Sequence, residues 1–252
     1  MKKSLKSLTD KKAFHIVIII IIITVLLCIL FGTILRYDVE GEKNMPFTLK
    51  KIAIISTSEG NDKENKENKW DFSVNQNNDI YIYIEKNNNY SKTEIIDSVV
   101  FDNFNFEKAN EAGQIGVYKP DSKNENVIFR TTEENKLEKI EYIGDSVSEM
   151  KSLKMANQGD MIAFRIANCN IKEYISDDEE VINHMELLKK LNLTNEDLKV
   201  KTSFDITINL KSGKSFRTNA NIELPVGDVV NEGTTSNEIT DTSKFIFKRI
   251  KN

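Results

Sequence analysis

Cys169 and His184 are the residues outside the apolar N-terminal segment whose side chains could do nucleophilic or general-base chemistry. The chain has only two Cys and two His, and the other pair, Cys28 and His15, lies within that segment. A nucleophilic thiolate needs a base beside it, and Glu180, one helical turn before His184, could orient the imidazole for that role. We favour structural roles: a buried thiol, with an intermolecular disulfide as the alternative, and a His at the core edge. So few Cys and His also argue against a zinc site.

Three further patterns look like ligand-binding motifs, but structural interpretations fit them better. Residues 213–215 read Gly-Lys-Ser, the end of a phosphate-binding loop, yet Asn209 stands where that loop requires Gly. Residues 75–79 have the spacing of a calcium loop, but Ile80 replaces its invariant Gly, which leaves an Asn-rich turn. The acidic run at 177–180 complements the dipole of a helix that starts there. We therefore predict no catalytic, cofactor-binding or metal-binding residues.

Tyr81 and Tyr83 are the candidate partner-binding residues. They project from one face of a strand whose other face carries Ile80, Ile82 and Ile84, so they could form an exposed aromatic platform for a sugar or a protein partner. Packing under a neighbouring loop is the alternative. The carboxylates offer no second candidate, because no spacing among them indicates the pair that glycoside hydrolysis needs.

The elements that position these residues are predicted to be mainly β-strands. Residues 203–224 predict a hairpin, because apolar residues alternate on both sides of a turn that contains Gly213. Residues 80–84 form a second clear strand. Weaker strand patterns occupy 49–56, 70–74, 94–106, 114–118, 127–130, 137–143, 160–170 and 244–250. We expect a mainly β fold, an antiparallel β-sandwich-like domain.

One inserted α-helix is expected to interrupt the strands. Ser176 is its candidate N-cap, Glu179 occupies the capping-box position, and the apolar stripe continues to about Leu191. A second short turn is expected after Thr194. The polar runs at 59–69 and 231–243 are predicted to be loops.

Residues 14–35 are predicted to form a transmembrane signal-anchor helix that contacts the lipid bilayer. These 22 positions carry no formal charge, and 17 of them are Ile, Leu, Val or Phe. A helix of this length covers ~33 Å, against ~30 Å of bilayer hydrocarbon. A cleavable signal peptide would have an apolar run of about 7 to 15 residues followed by small residues, which residues 34–37 do not supply.

The flanking charges predict that residues 1–13 form a basic cytoplasmic tail and that residues 36–252 form a β-rich domain outside the cytoplasmic membrane. Five lysines precede the span and Arg36 alone follows it, and the more positive flank stays in the cytoplasm. Removing the six basic and one acidic residues of the first 36 from totals of 35 and 39 leaves 29 and 38, a charge of −9 for residues 37–252. Such a domain repels nucleic acid, so no nucleic-acid partner is expected.

Residues 204–233, with Ile-Glu-Leu-Pro-Val-Gly-Asp at 222–228, resemble uncharacterised single-pass membrane proteins of low-GC Gram-positive bacteria. The resemblance covers about a tenth of the chain and brings no activity with it. Our hypothesis is a non-catalytic interaction or scaffolding module of the bacterial envelope. It would hold an envelope or membrane protein through an edge strand or through the face of Tyr81 and Tyr83. The alternatives are a membrane-tethered envelope enzyme and a ligand-binding sensor subunit.

Overall fold

The N-terminal element is one long helix with exposed apolar side chains. A computed structural model describes residues 2–39, 45–64, 69–109, 111–176 and 184–250. Helix α1 spans Lys2–Val39, and every residue from Phe14 to Gly32 is exposed. The hydroxyl of Thr24 donates to the carbonyl of Ile20 at 2.8 Å, which satisfies a polar group on this apolar surface. By length and composition, Phe14–Gly32 could cross a membrane as an anchor or serve as a signal sequence.

The rest of the described chain is mainly β, as predicted, and strands make up 52% of the structure. The strands are β1 (Phe47–Glu64), β2 (Trp70–Lys86), β3 (Ile96–Lys108), β4 (Gln114–Tyr118), β5 (Ile140–Asp145), β6 (Lys154–Ala156), β7 (Gly159–Cys169), β8 (Glu173–Ser176), β9 (Val200–Leu210), β10 (Ser215–Leu224), β11 (Thr234–Ile239) and β12 (Lys248–Ile250). The short helices are α2 (His184–Lys190), α3 (Asn195–Leu198) and α4 (Val229–Glu232), and Met150–Ser152 form a 3₁₀ turn.

The strands form two sheets that share one hydrophobic core. Sheet A has the order β11-β1-β2-β7-β4, with β8 also paired to β2, and sheet B has the order β12-β10-β9-β3-β5-β6. All of these pairs are antiparallel except β5 with β6. Phe164 of sheet A packs on Phe101 and Phe204 of sheet B, with ring centroids 4.9 and 5.3 Å apart. The inner faces of the two sheets therefore pack together as in a β-sandwich.

The hairpin predicted at 203–224 is confirmed. β9 and β10 pair along their length, and the N–H of Leu210 donates to the carbonyl of Lys214 at 2.9 Å to close the turn. Gly213 supplies the positive φ of +79° that this turn needs. Ser215 begins β10 rather than a helix, so residues 213–215 lack the structural context of a phosphate-binding loop.

The Asn-rich turn predicted at 75–79 is wrong, because these residues lie inside the continuous strand β2. The hydroxyl of Ser58 donates to Gln76 at 2.9 Å, and that of Ser56 donates to Asn78 at 2.8 Å. All four of these side chains are buried. A buried polar side chain that finds a hydrogen-bond partner avoids most of its desolvation penalty. The strand can therefore continue through a composition that, taken alone, favours a turn.

Two of the predicted loops contain strands, and one predicted strand is not formed. β1 continues into the segment 59–69 as far as Glu64 and pairs there with β2. The segment 231–243 contains β11, which pairs with β1. Residues 127–130 contribute only an isolated bridge, from Phe129. Backbone pairing with a neighbouring strand decides these cases, and a local polarity pattern does not report it.

In the part of the chain that the structure describes, three short α-helices follow α1, where one inserted helix was expected. The described part of the helix predicted from Ser176 to Leu191 is α2, whereas 177–183, with the acidic run 177–180, lie outside the described residues. Ser176 itself ends β8. The turn expected after Thr194 is confirmed as α3, which Thr194 caps through a capping box with Asp197.

A second, smaller hydrophobic core lies near the end of the hairpin where β1 finishes and β2 begins. Helices α2, α3 and α4 cover Phe72 and Val74 of β2 there, which would otherwise expose apolar area to water. The buried members of this core are Phe72, Val74, Ile171, Leu187, Leu188, Leu191, Leu193, Leu198 and Val229.

Gly144 in β5 occupies a position that cannot accept a side chain. A Cβ there would lie 2.1 Å from the carbonyl oxygen of Ile96, and backbone cannot move aside as a side-chain tip can. We expect Gly144→Ala to lower the free energy of unfolding by about 1 to 3 kcal/mol, measured by urea denaturation of the full-length protein in detergent. The control is Gly213→Ala, which has positive φ but no atom within 4 Å of its Cβ and should cost only about 1 kcal/mol. A Gly144→Ala cost no larger than this control would contradict the steric argument.

Candidate functional site

The candidate site lies along the part of β3 that β5, its neighbour in sheet B, does not pair with. β3 pairs with β5 only from Ser98 to Phe101. In the described part of the chain, no strand pairs with the same edge of β3 from Asp102 to Lys108. The other edge of β3 continues to pair with β9 as far as Lys108. A stretch of β3 is therefore held in strand conformation while one of its edges stays open.

A β-bulge at the start of this open edge directs the side chain of Phe104 toward the space between the two sheets. The register with β9 shifts just after Asp102, and Asn103 takes a positive φ of 54°. Asn tolerates this conformation better than most residues, and its amide donates to a carboxylate on β9 at 2.9 Å. Phe104 then packs against Phe164 and Phe204, with ring centroids 5.6 and 5.5 Å apart.

A groove with a volume of about 760 Å³ runs along the open edge, between β3 and β4, and we call it the β3 groove. Phe104 and Phe106 form its apolar side. Both are half-buried, and their rings stack with centroids 6.4 Å apart and planes 9° apart. The opposite wall consists of residues 115–117 of β4 and the segment 133–139. The volume falls within the range of about 300 to 1,000 Å³ that is typical of ligand sites.

Both lysines of the β3 groove have acidic partners. The ammonium of Lys136 lies 3.7 Å from the carboxylate of Glu133, which also lines the groove. Lys139 lies 3.4 Å from Glu141 of β5. The positive charge on this wall is therefore largely neutralised by neighbouring carboxylates.

Two acidic side chains of the β3 groove, Asp102 and Glu138, have no ion pair among the described residues. One carboxylate oxygen of Asp102 is buried and accepts no hydrogen bond from the described structure. Leaving a buried acceptor unsatisfied costs about 1 to 3 kcal/mol, more when it is charged. A ligand that brings a hydrogen-bond donor or a positive charge to Asp102 would remove that cost.

Tyr81 and Tyr83 do not line the β3 groove; they lie on the outer face of sheet A. The ring of Tyr81 meets that of Phe129 edge-on with centroids 6.5 Å apart, and burial raises the pKa of its hydroxyl. The ammonium of Lys51 lies 4.7 Å from the ring centroid of Tyr83. Both tyrosines are half-buried. They remain predicted partner-binding residues, on a face that Phe129 partly covers.

Cys169 lies at the end of β7 beside hydroxyl groups. Its Sγ is 4.0 Å from the hydroxyl of Tyr118. Burial raises the pKa of the Cys169 thiol, so the thiolate is scarcer at neutral pH than in a free Cys. His184 begins α2, whose leucines belong to the second core. The environment of Cys169 favours a structural thiol over a nucleophile.

The other motif-like patterns do not assemble a site. Asn75 and Asn77 sit in β2 on a paired strand, so their spacing has no calcium loop around it. Within the described ranges, no group of three or more His, Cys, Asp or Glu residues could hold a metal ion.

Phe104 and Phe106 are functional candidates that the sequence does not mark. Residues 102–106 alternate Asp, Asn, Phe, Asn, Phe, which predicts a strand with one apolar face and nothing more. Whether the edge of that strand is paired depends on how far the pairing with β5 extends, and β5 is distant in the chain. The usable signal would have been Asn103, because Asn accepts the positive φ of an irregular strand position more readily than most residues.

Comparison with known proteins adds no functional information. The chain matches no protein-family model, no curated protein and no solved structure. The arrangement of its own residues therefore carries the functional argument: an exposed apolar helix, a β-sandwich, and a groove with aromatic rings and an unsatisfied carboxylate.

Proposed function

We propose that the protein is a membrane-anchored, extracytoplasmic binding module of the bacterial envelope and that it recognises a partner protein at the β3 groove. The observation that carries this proposal is the groove itself. It is open, it presents the stacked rings of Phe104 and Phe106, and a buried oxygen of Asp102 accepts no hydrogen bond from the residues that the structure describes. Partly exposed aromatic rings on an open surface are typical of binding sites.

The anchoring part of the proposal is supported by α1. Its apolar residues from Phe14 to Gly32 are all exposed, and burying them in bilayer hydrocarbon removes that area from water. The lysines before this stretch and the acidic residues after it favour an orientation with the N-terminus in the cytoplasm. The sandwich would then face the outside of the cytoplasmic membrane.

Binding is favoured over catalysis by the chemistry of the described residues. The raised pKa of Cys169 works against a thiol mechanism. The β3 groove contains neither a His nor a Cys. Its features suit recognition, which needs apolar contact, a few polar groups and shape.

The proposal is tested by crosslinking in intact cells with a reagent that does not cross membranes, followed by mass spectrometry. We expect one dominant protein to be captured by the full-length chain, and its recovery to fall at least about fivefold for Asp102→Asn and for Phe104→Ser with Phe106→Ser. Capture by a membrane-impermeant reagent also requires the sandwich to lie outside.

The matched control is Asn105→Ser with Glu107→Ser, on the exposed positions of the same strand. Capture should survive in this control. Equal capture by all variants would remove the β3 groove from the proposal, and the pair Tyr81→Ala with Tyr83→Ala in the same assay then tests the outer face of sheet A. Absence of any specific partner would overturn the binding-module function.

A further inference from the structure

We infer that the β3 groove takes an extended, basic peptide segment of the partner, which adds to the open edge of β3 as a further strand. The inference rests on the proposed binding function and specifies the chemistry of what is bound. It follows from three features of the groove: its backbone, its side chains and its charge.

The backbone of β3 has hydrogen-bonding groups that point away from β9. The N–H of Ala109 donates to the carbonyl of Lys199 at 2.9 Å, which continues the pairing of Glu107 with Lys201. In an antiparallel ladder, hydrogen-bonded pairs alternate with pairs whose N–H and C=O groups point outward. The backbone groups of Phe106 and Lys108 therefore face the open edge, where an added strand could pair with them.

The side chains of the β3 groove suit a strand better than a compact small molecule. Phe104 and Phe106 are two residues apart and stack along the edge, which matches the spacing of side chains on one face of an added strand. The open edge from Asp102 to Lys108 has the length of a seven-residue extended segment. Strand addition of this kind takes affinity from main-chain hydrogen bonds and specificity from alternate side chains.

The charge of the β3 groove selects a basic segment. Its lysines are paired, whereas Asp102 and Glu138 are not paired by described residues, and Asp102 has a buried oxygen without a donor. The region 37–252 carries a charge of −9, so a second copy of the chain would bring repulsion rather than complementarity.

The test measures peptide binding to the full-length protein in nanodiscs of phosphatidylcholine, a lipid without net charge. The probes are two fluorescent heptapeptide libraries, Ac-TXKXKXT-NH2 and Ac-TXEXEXT-NH2, in which X is Val, Ile, Leu or Phe. We expect the lysine library to contain peptides that bind with micromolar Kd and to outbind the glutamate library by at least about tenfold. Empty nanodiscs report binding to lipid alone.

Strand addition is tested on the tightest lysine peptide by N-methylation of alternate amides. Methylation along the edge that faces β3 should weaken binding at least about tenfold, whereas methylation along the other edge should not. Asp102→Asn, which keeps the shape of the side chain, should weaken the lysine peptide several-fold while Asn105→Ser leaves it unchanged. Hydrogen exchange should show new protection at the amides of Phe106 and Lys108 when the peptide is added.

Three results would overturn the inference: equal binding of the lysine and glutamate libraries, indifference to methylation on both edges, or no binding of either library. The proposed function has a separate readout. If crosslinking in cells still depends on Asp102 and Phe104 while the peptides fail, the β3 groove binds a partner in another way. If crosslinking does not depend on the groove, the proposed function fails as well.

Discussion

Phe164→Ala is expected to lower the free energy of unfolding of the sandwich by about 3 to 5 kcal/mol, the cost of removing a fully buried phenylalanine. Phe164 is 0% exposed and contacts three aromatic rings, those of Phe101, Phe104 and Phe204. Two of these rings belong to the opposite sheet's core face and the third belongs to the β3 groove. Truncation leaves a cavity at the junction of the two sheets, which rigid strands cannot collapse to fill.

The measurement is urea denaturation of the full-length protein in detergent, followed by circular dichroism in the β region and by fluorescence. Trp70 is the single Trp of the chain and packs against the second core, so its fluorescence reports that region separately. Val147→Ala is the control, because Val147 is 66% exposed and should change stability by less than about 0.5 kcal/mol. A cost below about 1 kcal/mol for Phe164→Ala would contradict this packing of the two sheets.

Arg165→Ala is expected to cost about 3 kcal/mol, because it leaves the carboxylate of Asp79 largely buried without its partner. The guanidinium donates to both carboxylate oxygens of Asp79, at 2.6 and 3.0 Å, between neighbouring strands of sheet A. The two side chains are only 13% and 17% exposed, so solvent screens the pair weakly. The guanidinium carbon also lies 5.3 Å from the ring centroid of Phe129, which the substitution would leave loosely packed.

A replacement of both partners separates the cost of the unpaired charge from the cost of lost packing. Replacing both partners, as Asp79→Leu with Arg165→Met, removes the unpaired charge and should recover most of the stability that Arg165→Ala loses. The exposed pair of Lys50 and Glu85 is the matched comparison, with side chains 60% and 50% exposed, and Lys50→Ala should cost less than about 1 kcal/mol. Equal costs for Arg165→Ala and Lys50→Ala would show that burial does not strengthen the inner pair.

These two substitutions also bear on the predicted binding surfaces. Phe164 supports Phe104 at the β3 groove, so a folded Phe164→Ala protein should have a looser groove. Arg165 and Tyr81 both contact Phe129 on the outer face of sheet A. Loss of Arg165 is therefore expected to increase the exposure of Tyr81. The rate at which Tyr81 is iodinated in the folded protein measures this exposure.

Local patterns in the sequence were sufficient for elements whose stabilising contacts are close in the chain. The hairpin of β9 and β10 is an example, because alternation sets the buried face and Gly213 supplies the turn between adjacent strands. The strand patterns at 94–106, 114–118 and 160–170 agree with β3, β4 and β7 to within two residues although their partner strands are distant in the chain, because alternation marks the buried face of a strand whatever its partner. The capped turn after Thr194 is also local, because the two residues of its capping box, Thr194 and Asp197, are close in the chain.

Periodicity, run length and charge, which are properties of the chain alone, were enough to predict an N-terminal apolar helix, a mainly β remainder and an excess of acidic residues after the helix. The strand conformation of the Asn-rich residues 75–79 depends on contacts with another strand, which supplies their hydrogen-bond partners Ser56 and Ser58. The position of the β3 groove likewise follows from the folded arrangement of the strands. An open edge exists where β5 diverges after Phe101, and strand pairing between distant segments is set by the packing of the whole sandwich.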